Sequence, residues 1–449
     1  MKLYTLILAA GEGKRMKSKR PKVLHKIGQT AMIDHTLQLA QKLESDKIVV
    51  VTGHQAHDVE NHIAKKFGSI DFVRQENQLG TGHAVKISES VLPKNESLLL
   101  VLYGDTPLIS AATVKTMFNK IKSEVKLVVL GFEEHTYNSY GKLILSKTGS
   151  LEKIIEYKDA TEEERNQKLC NSGILLGDKN TIFNLLTQIN SNNIQNELYL
   201  TDIIEKANVN KLQVAVTICT ANEAIGINSM AELAKAEALF QETKRKEFLD
   251  DGVTFIAPET VYLSNDTAIG TGSVIEPNVI FGSGVRLSEN VTVRAFSYLE
   301  ECIVRAGATI GPFARVRPGS DIGKNARVGN FVEIKESKIG QETKVNHLAY
   351  VGDTTLGERV NFGAGSIVCN FDGVQKHATE IGDDAFIGSN SSLIAPLKIG
   401  KETLIGSGTV VTKNIPDKDL ALSRTPQINK KHAGKKVMDT IKSKRKMNT

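Results

Sequence analysis

The pattern of hydrophobic and polar positions changes character twice along the 449 residues. Up to about residue 228, short apolar runs alternate with stretches of helical spacing. Leu3 to Ala10, Ile48 to Thr52 and Leu98 to Tyr103 read as buried strands, and Ala31 to Leu43 and Ala111 to Ile121 as helices. Such βαβα alternation predicts an α/β domain with a mostly parallel sheet, whose ligands gather beyond the carboxyl ends of the strands. From Ser229 to Asp250 the spacing becomes that of one long polar helix, opened by Ser229 and Glu232 in capping-box register and striped by Met230, Leu233, Ala236 and Phe240. About 20 residues at 1.5 Å each span about 30 Å, enough to hold two domains apart. The predicted organisation is residues 1–228, a linker helix 229–250 and a second domain 251–449.

Beyond residue 251 the period is six. Apolar residues recur at Ile310, Val316, Ile322, Val328 and Ile334, slip by one to Ile339, Val345 and Val351, and resume at Ile381, Ile387, Leu393, Ile399, Ile405 and Val411. Hexapeptide repeats predict a parallel β-helix with three hexads per coil, which accounts for the 36 glycines. One insertion interrupts them: 14 residues replace six between Ile367 and Ile381. Its polar, Gly-turned segment Cys369 to Lys376 is expected to protrude, and extra loops on a regular solenoid are where function is usually placed.

The formal charge of +6 is concentrated in the last twenty residues, 430–449, which carry eight Lys or Arg against Asp439, a net +7. No aromatic residues interleave with them, so they read as a solvated tail rather than a nucleic-acid surface. The four cysteines, Cys170, Cys219, Cys302 and Cys369, form no C-x-x-C pair, so neither a zinc site nor a disulfide framework is indicated and a reducing cytoplasm is expected. The apolar run Leu3 to Ala10 leads straight into Gly11-Glu12-Gly13-Lys14-Arg15 and reads as a first strand, not a signal peptide. No later run approaches a membrane span.

After that strand comes Leu8-Ala9-Ala10-Gly11-Glu12-Gly13-Lys14-Arg15-Met16, with Lys22 beyond it. A Gly-rich turn between strand and helix lets backbone N–H groups approach phosphate, and Arg15 and Lys22 add positive charge. A tight structural turn is the competing reading. The third glycine of a dinucleotide fold and the Gly-Lys-Ser/Thr ending of a Walker loop are both missing. Asp105 ends an apolar strand, so its carboxylate emerges at the ligand edge or caps a turn.

The full string resembles the L-x-A-G-x-G-T-R-M signature of sugar-1-phosphate nucleotidylyltransferases, with Lys14 where Thr is usual. Gln75-Glu76-Asn77-Gln78-Leu79-Gly80-Thr81-Gly82, Tyr103-Gly104-Asp105, Ile155-Glu156-Tyr157, Asn171-Ser172-Gly173 and Glu197 to Asp202 follow at suitable distances. Together with the hexads, the chain resembles the bacterial bifunctional N-acetylglucosamine-1-phosphate uridylyltransferases and glucosamine-1-phosphate acetyltransferases over nearly its whole length. The resemblance implies a Rossmann-like nucleotidylyltransferase domain joined by the helix to a left-handed parallel β-helix. It also implies a homotrimer with its acetyl site between subunits, and no nucleic-acid or membrane partner. The implied activity is acetylation of glucosamine-1-phosphate by acetyl-CoA followed by UMP transfer from UTP, giving UDP-N-acetylglucosamine for peptidoglycan and lipopolysaccharide.

The same resemblance implies Mg²⁺ at Asp105 and Asn228, although Asn228 also reads as a helix cap. It implies nucleotide contacts from Leu8, Ala9, Ala10, Gly11, Arg15, Lys22, Gln75, Gly80, Thr81, Tyr103 and Gly104, and sugar contacts from Gly141, Glu156 and Asn171.

In the second half, Arg317 and Lys335 stand 18 residues apart, three hexads, so they stack on adjacent rungs about 4.8 Å apart. Like charges so close repel unless an anion or a carboxylate lies between them; otherwise both fan into solvent. His347 lies about one coil further on, as a surface histidine or as the base that amine acetylation needs. Glu333 is a candidate to orient it. The resemblance makes Arg317 and Lys335 the sugar-phosphate clamp and His347 the base. It sets Tyr350, Asn361, Asn370 and Phe371 around the sugar, and Ala364, Lys376, Ser389, Ser407 and Arg424 at acetyl-CoA. Two other readings stand beside it: a nucleotidylyltransferase for another substrate whose β-helix serves only assembly, and a non-enzymatic scaffold.

Overall fold

Strand β1 (Lys2–Ala9) is buried on both faces, as expected of a strand in a sheet covered on both sides. The computed structural model, which describes residues 1–68, 70–135, 138–146 and 149–447, sets it in the interior of a nine-stranded sheet. The other strands are β2 (Lys47–Thr52), β3 (Asp71–Arg74), β4 (Ser97–Tyr103), β5 (Val125–Glu133), β6 (Lys142–Leu145), β7 (Leu151–Ile155), β8 (Leu169–Asp178) and β9 (Gln213–Cys219). Their order is β9-β5-β8-β4-β1-β2-β3, with the β6–β7 hairpin attached to β8. Strands β1, β2, β3 and β4 pair in parallel, and β8 runs antiparallel to β4 and β5. Alternate residues of β1 serve two cores: Leu6 and Leu8 on one side of the sheet, Ile7 and Ala9 on the other.

By its internal contacts the chain forms two units, Met1–Glu247 with Leu263–Asn265, and Phe248–Tyr262 with Asp266–Thr449. The long polar helix runs over Met230–Asp250. Three of its four stripe residues are engaged within the first unit: Ala236 is buried among Ile27, Met32, Ile225 and Ile227, with Leu233 and Phe240 packed on them, whereas Met230 is exposed because it opens the first turn. A Cβ on Gly28 would lie 2.3 Å from the Phe240 ring, so this contact requires glycine.

The second unit is built of three parallel sheets visited in rotation. A first face of ten strands runs from Thr254–Phe255 to Leu420–Ala421, a second of eight from Ile280–Phe281 to Val410–Val411, and a third of eight from Ala268–Ile269 to Leu397–Ile399. The hexad residues all point inward: Ile310, Val316, Ile322, Val328, Ile334, Ile339, Val345, Val351, Ile381, Ile387, Leu393, Ile399, Ile405 and Val411 are buried.

Two expectations about the insertion need correction. Ile367 is 45% exposed and the inward residue is Val368. Nor does the whole loop protrude: Asn370 is only 6% exposed, because its amide is tied back to Asp353, whereas Phe371 and Val374 at the tip stand in solvent. The basic tail contains a helix, Ala433–Met447, that exposes Val437, Met438 and Ile441. Among the described residues no helix is long and apolar enough to cross a membrane.

The register at the insertion can be tested by truncation. Val368→Ala should cost roughly 2 kcal/mol of stability, whereas Ile367→Ala should stay within about 0.5 kcal/mol. Urea unfolding followed by circular dichroism measures both; equal losses would refute the inward assignment of Val368.

Candidate active sites

The parallel strands of the first unit end on one edge, and the chain leaves β1 and β4 there side by side. A cleft of about 280 Å³ is lined by Leu8, Ala9, Ala10, Gly11, Lys22, Gln75, Gly80, Thr81, Tyr103 and Asp105, with Gln78 and Glu197. Gly13 is left-handed (φ 66), and a Cβ there would lie 2.8 Å from Lys22 Cβ, so the glycine turn lets Lys22 fold back over the loop. Gly80 (φ 103) is likewise required, since a Cβ would meet the Leu198 carbonyl at 2.5 Å. Thr81 Oγ1 accepts the Leu200 N–H at 3.0 Å, and the Gln75 amide donates to the Gly80 carbonyl at 2.9 Å.

The Lys22 ammonium is ion-paired with Asp105 and donates to Asn228 Oδ1 at 3.1 Å. The cap reading of Asn228 gives way here: Ser229 Oγ accepts the Glu232 N–H at 3.2 Å and caps the helix, leaving Asn228 Oδ1 to face a cation. Two hard oxygens thus converge on one positive charge, a donor pair suited to a hard divalent ion. Arg15 departs from the expected group. It lines an adjoining cavity of about 620 Å³ with Tyr140, Asn228 and Glu232.

The three expected sugar residues come together. The Asn171 N–H donates to the Gly141 carbonyl at 2.8 Å, a Cβ on Gly141 would touch Glu156 Oε2 at 3.4 Å, and Thr201 donates to Glu156 Oε1 at 3.2 Å. Burial raises the Glu156 pKa above the usual carboxylate range, and burial with Glu205 and Asp159 raises Asp202 to about 6. Burial also raises the Tyr103 phenol. Gly104 packs against Ile33 and Val23 beneath the cleft.

In the second unit the strands stack candidate residues into two columns on opposite edges of the second face. One column holds His347, which is register-paired with Asn330. The Gly365 N–H donates to the His347 carbonyl at 3.2 Å, Asn390 N–H to Ala364 at 2.8 Å, Gly408 N–H to Ser389 at 2.8 Å, and Arg424 Nη1 to the Ser407 carbonyl at 3.3 Å. His347, Ala364, Ser389, Ser407 and Arg424 therefore follow one another coil by coil, and Asn361 opens the strand leading to Ala364.

The other column holds Arg317 and Lys335. Lys335 pairs in register with Gly352, so His347 is not one coil beyond it but at the far edge of the face, roughly 10 Å away for a three-residue strand. The carboxylate that relieves the stacked cations is Glu333, 2.7 Å from Arg317. Glu333 therefore does not orient His347, whose Nδ1 is bonded to Asn330 Oδ1. The loop's Lys376 is pushed below the usual lysine range by the adjacent Lys335 ammonium. Asn370 Nδ2 lies 3.5 Å from the Tyr350 hydroxyl and bonds to Asp353. Phe371 is exposed beside this cluster.

Residues 5–172 match the MobA-like NTP transferase domain, and residues 301–336 and 378–413 match the bacterial transferase hexapeptide repeat. The sequence is 47% identical to the Bifunctional protein GlmU of Ruegeria sp. (strain TM1040) over 99% of both chains. It is 44% identical to that of Jannaschia sp. (strain CCS1) over 98% of this chain and 97% of the relative. The chain belongs to the GlmU family. It is a bifunctional enzyme of UDP-N-acetylglucosamine biosynthesis, a nucleotidyltransferase and a hexapeptide acetyltransferase in one chain. The readings of a β-helix used only for assembly, and of a non-enzymatic scaffold, are set aside.

Set beside the GlmU resemblance, three neighbours of the sites were missed. Gln78, whose amide donates to the Ala10 carbonyl at 2.8 Å, lies within a string of which only Gln75, Gly80 and Thr81 were assigned. Asn330 and Asp353 carried no signal, because their partners stand 17 residues away, one coil on.

Asp202 supplies a titration test. A carboxyl with a raised folded pKa binds more protons folded than unfolded, so stability falls as pH rises from about 4 to about 6. The group is only half-buried, which reduces the effect to about 1 kcal/mol. Asp202→Asn should leave the stability unchanged at pH 4 and raise it by about 1 kcal/mol at pH 8. Thermal unfolding at the two pH values reads the difference, and no gain at pH 8 would contradict the assignment.

Proposed function

We propose that the cleft of the first unit binds UTP and N-acetylglucosamine-1-phosphate, and that the two columns of the second bind glucosamine-1-phosphate and acetyl-CoA. The carrying observation is the convergence of Asp105 and Asn228 on the Lys22 ammonium at the mouth of the cleft. In uridylyl transfer a phosphate oxygen of the sugar phosphate attacks the α-phosphorus of UTP. The bond from that phosphorus to its bridging oxygen breaks, and pyrophosphate leaves. Gln75, Gly80, Thr81 and the backbone of Leu8 to Gly11 hold the nucleotide; Lys22 turns from Asp105 to phosphate, with Arg15 on the pyrophosphate side. Gly141 leaves room for the sugar, and Glu156 and Asn171 bond its hydroxyls. Asp105 and Asn228 would hold Mg²⁺, which when bound neutralises charge between the reacting anions.

In acetyl transfer His347 takes a proton from the ammonium of glucosamine-1-phosphate. The freed amine attacks the thioester carbonyl; as the carbon–sulfur bond breaks, the imidazolium returns its proton to the departing thiolate and the nitrogen releases its second proton to water, giving the amide, free CoA thiol and one net proton. Arg317 and Lys335 hold the phosphate, and Tyr350, Asn361, Asn370 and Phe371 surround the sugar. Ala364, Lys376, Ser389, Ser407 and Arg424 meet acetyl-CoA. The enzyme acetylates first, works in the cytoplasm, and winds its second domain, residues 251–449, as a left-handed β-helix joined by the helix 229–250 to the uridylyltransferase domain 1–228.

The protein is a homotrimer in this reading. Support comes from an exposed ladder on the edge that carries His347: Phe296, Phe313 and Phe331, stacked 4.9 and 5.1 Å apart, continue into Leu348. These are 46–61% exposed. A self-complementary apolar strip is covered by further copies of the chain, and threefold closure avoids a fibre.

Two measurements test the proposal. Asp105→Ala should abolish pyrophosphate release and leave CoA release from glucosamine-1-phosphate unchanged; loss of both in a folded protein would defeat the two-site reading. Phe313→Glu should convert a sedimenting trimer into single chains and lower acetyl transfer at least about 10-fold while sparing uridylyl transfer. A trimer left intact by Phe313→Glu would move the seam elsewhere.

A further inference from the structure

We propose that Asn330 decides which nitrogen of His347 serves as the base; this rests on the reading of His347 as the base of acetyl transfer. The two residues end neighbouring strands, Arg327–Asn330 and Lys344–His347, and are register partners. Asn330 holds the segment twice. Its side-chain Oδ1 is bonded to His347 Nδ1, and its backbone carbonyl accepts the Leu348 N–H at 3.0 Å. In the next three coils the equivalent positions are Ala364, Ser389 and Ser407, so an amide beneath the column occurs only under the histidine.

A neutral imidazole has one donor and one acceptor nitrogen. With the Nδ1 proton donated to the Asn330 amide oxygen, the lone pair is on Nε2, at the exposed end of the ring, where the amine proton must be taken. An amide sets this tautomer without the negative charge that would hold the ring as imidazolium. The carboxylate nearest Asn330 in sequence, Glu333, is engaged by Arg317 at 2.7 Å. Were the amide turned so that its NH₂ faced Nδ1, the proton would sit on Nε2 and the base would be lost. Asn330 is therefore a positioning residue, and its oxygen is the functional atom.

Substitution separates the two orientations, because aspartate can only accept. In the full chain, with CoA release as the readout, Asn330→Leu should lower kcat about 10-fold or more, less than the ~10² to 10⁴ expected for His347→Ala, with KM for glucosamine-1-phosphate unchanged. Asn330→Asp should keep most of kcat and move the acid limb of the pH–rate profile upward, since a carboxylate beside the ring favours the imidazolium. The other charged groups on the two paired strands, Arg327 and Lys344, together with Glu333, are the same in both variants. Uridylyl transfer serves as the control for folding. An Asn330→Asp protein as slow as Asn330→Leu, or an Asn330→Leu protein at full kcat, overturns the proposal. If His347→Ala itself acetylates normally, the reading of the base fails instead, and the three variants distinguish the two failures.

Discussion

Parallel pairing of strands is the constraint from which both candidate sites follow. In a parallel pair every strand ends at the same edge, so whatever the chain carries past its last ladder hydrogen bond is delivered to one place. In the first unit that rule brings Ala9, which ends β1, and Gly11 beyond it beside Tyr103, which ends β4, and Asp105 beyond it. In the second unit the same pairing acts coil upon coil and turns residues far apart in sequence into columns. His347 and Arg424 belong to one column although 77 residues separate them. Neither site needs a dedicated scaffold beyond backbone register.

The periods were legible because burial imposes them. Apart from Ile367, the hexad residues from Ile310 to Val411 that the apolar pattern picks out are buried, since each hexad turns its apolar residue inward, three to a coil, and a polar residue there would lose its hydrogen bonds. Glycine positions were readable as turns, but not for their second purpose. Gly13 makes room for Lys22, and Gly28 for Phe240, contacts between segments that the sequence keeps apart.

What escaped the sequence are partnerships set by register. The hexads give the spacing of coils but not which edge a residue occupies, so Arg317, Lys335 and His347 read as one stack when they lie on two edges of a face. Glu333 illustrates the limit. Two residues from Lys335 it looks free to serve any neighbour, yet its strand is paired so that Arg315 stands opposite and Arg317 is within reach of its carboxylate. The Asn370 loop misleads for a similar reason: polar composition predicts exposure, but Asp353 one coil below supplies a half-buried partner that holds the amide down.

The edge bearing His347 also carries a conformational cost that a lone coil has no reason to accept. Its corner residues take left-handed backbone angles, at φ 60, 54, 55 and 51 for Phe296, Phe313, Phe331 and Leu348. Other corners of the solenoid place polar residues in this conformation, as at Asn290, Asn325, Glu342 and Arg359; Asn tolerates the geometry best, and all of them leave polar groups to water. Bulky side chains there cost on the order of 1 kcal/mol each and, once exposed, recover little by stacking. Burial against further copies of the chain would offset both terms, which is the physical ground of the proposed trimer. Above Leu348 the same corner changes to Gly365, Asn390 and Gly408. Large side chains thus stop at the level of His347 and small ones begin, leaving the column of Ala364, Ser389 and Ser407 open along its length, the shape a long, flexible thioester requires if its carbonyl is to end at the histidine.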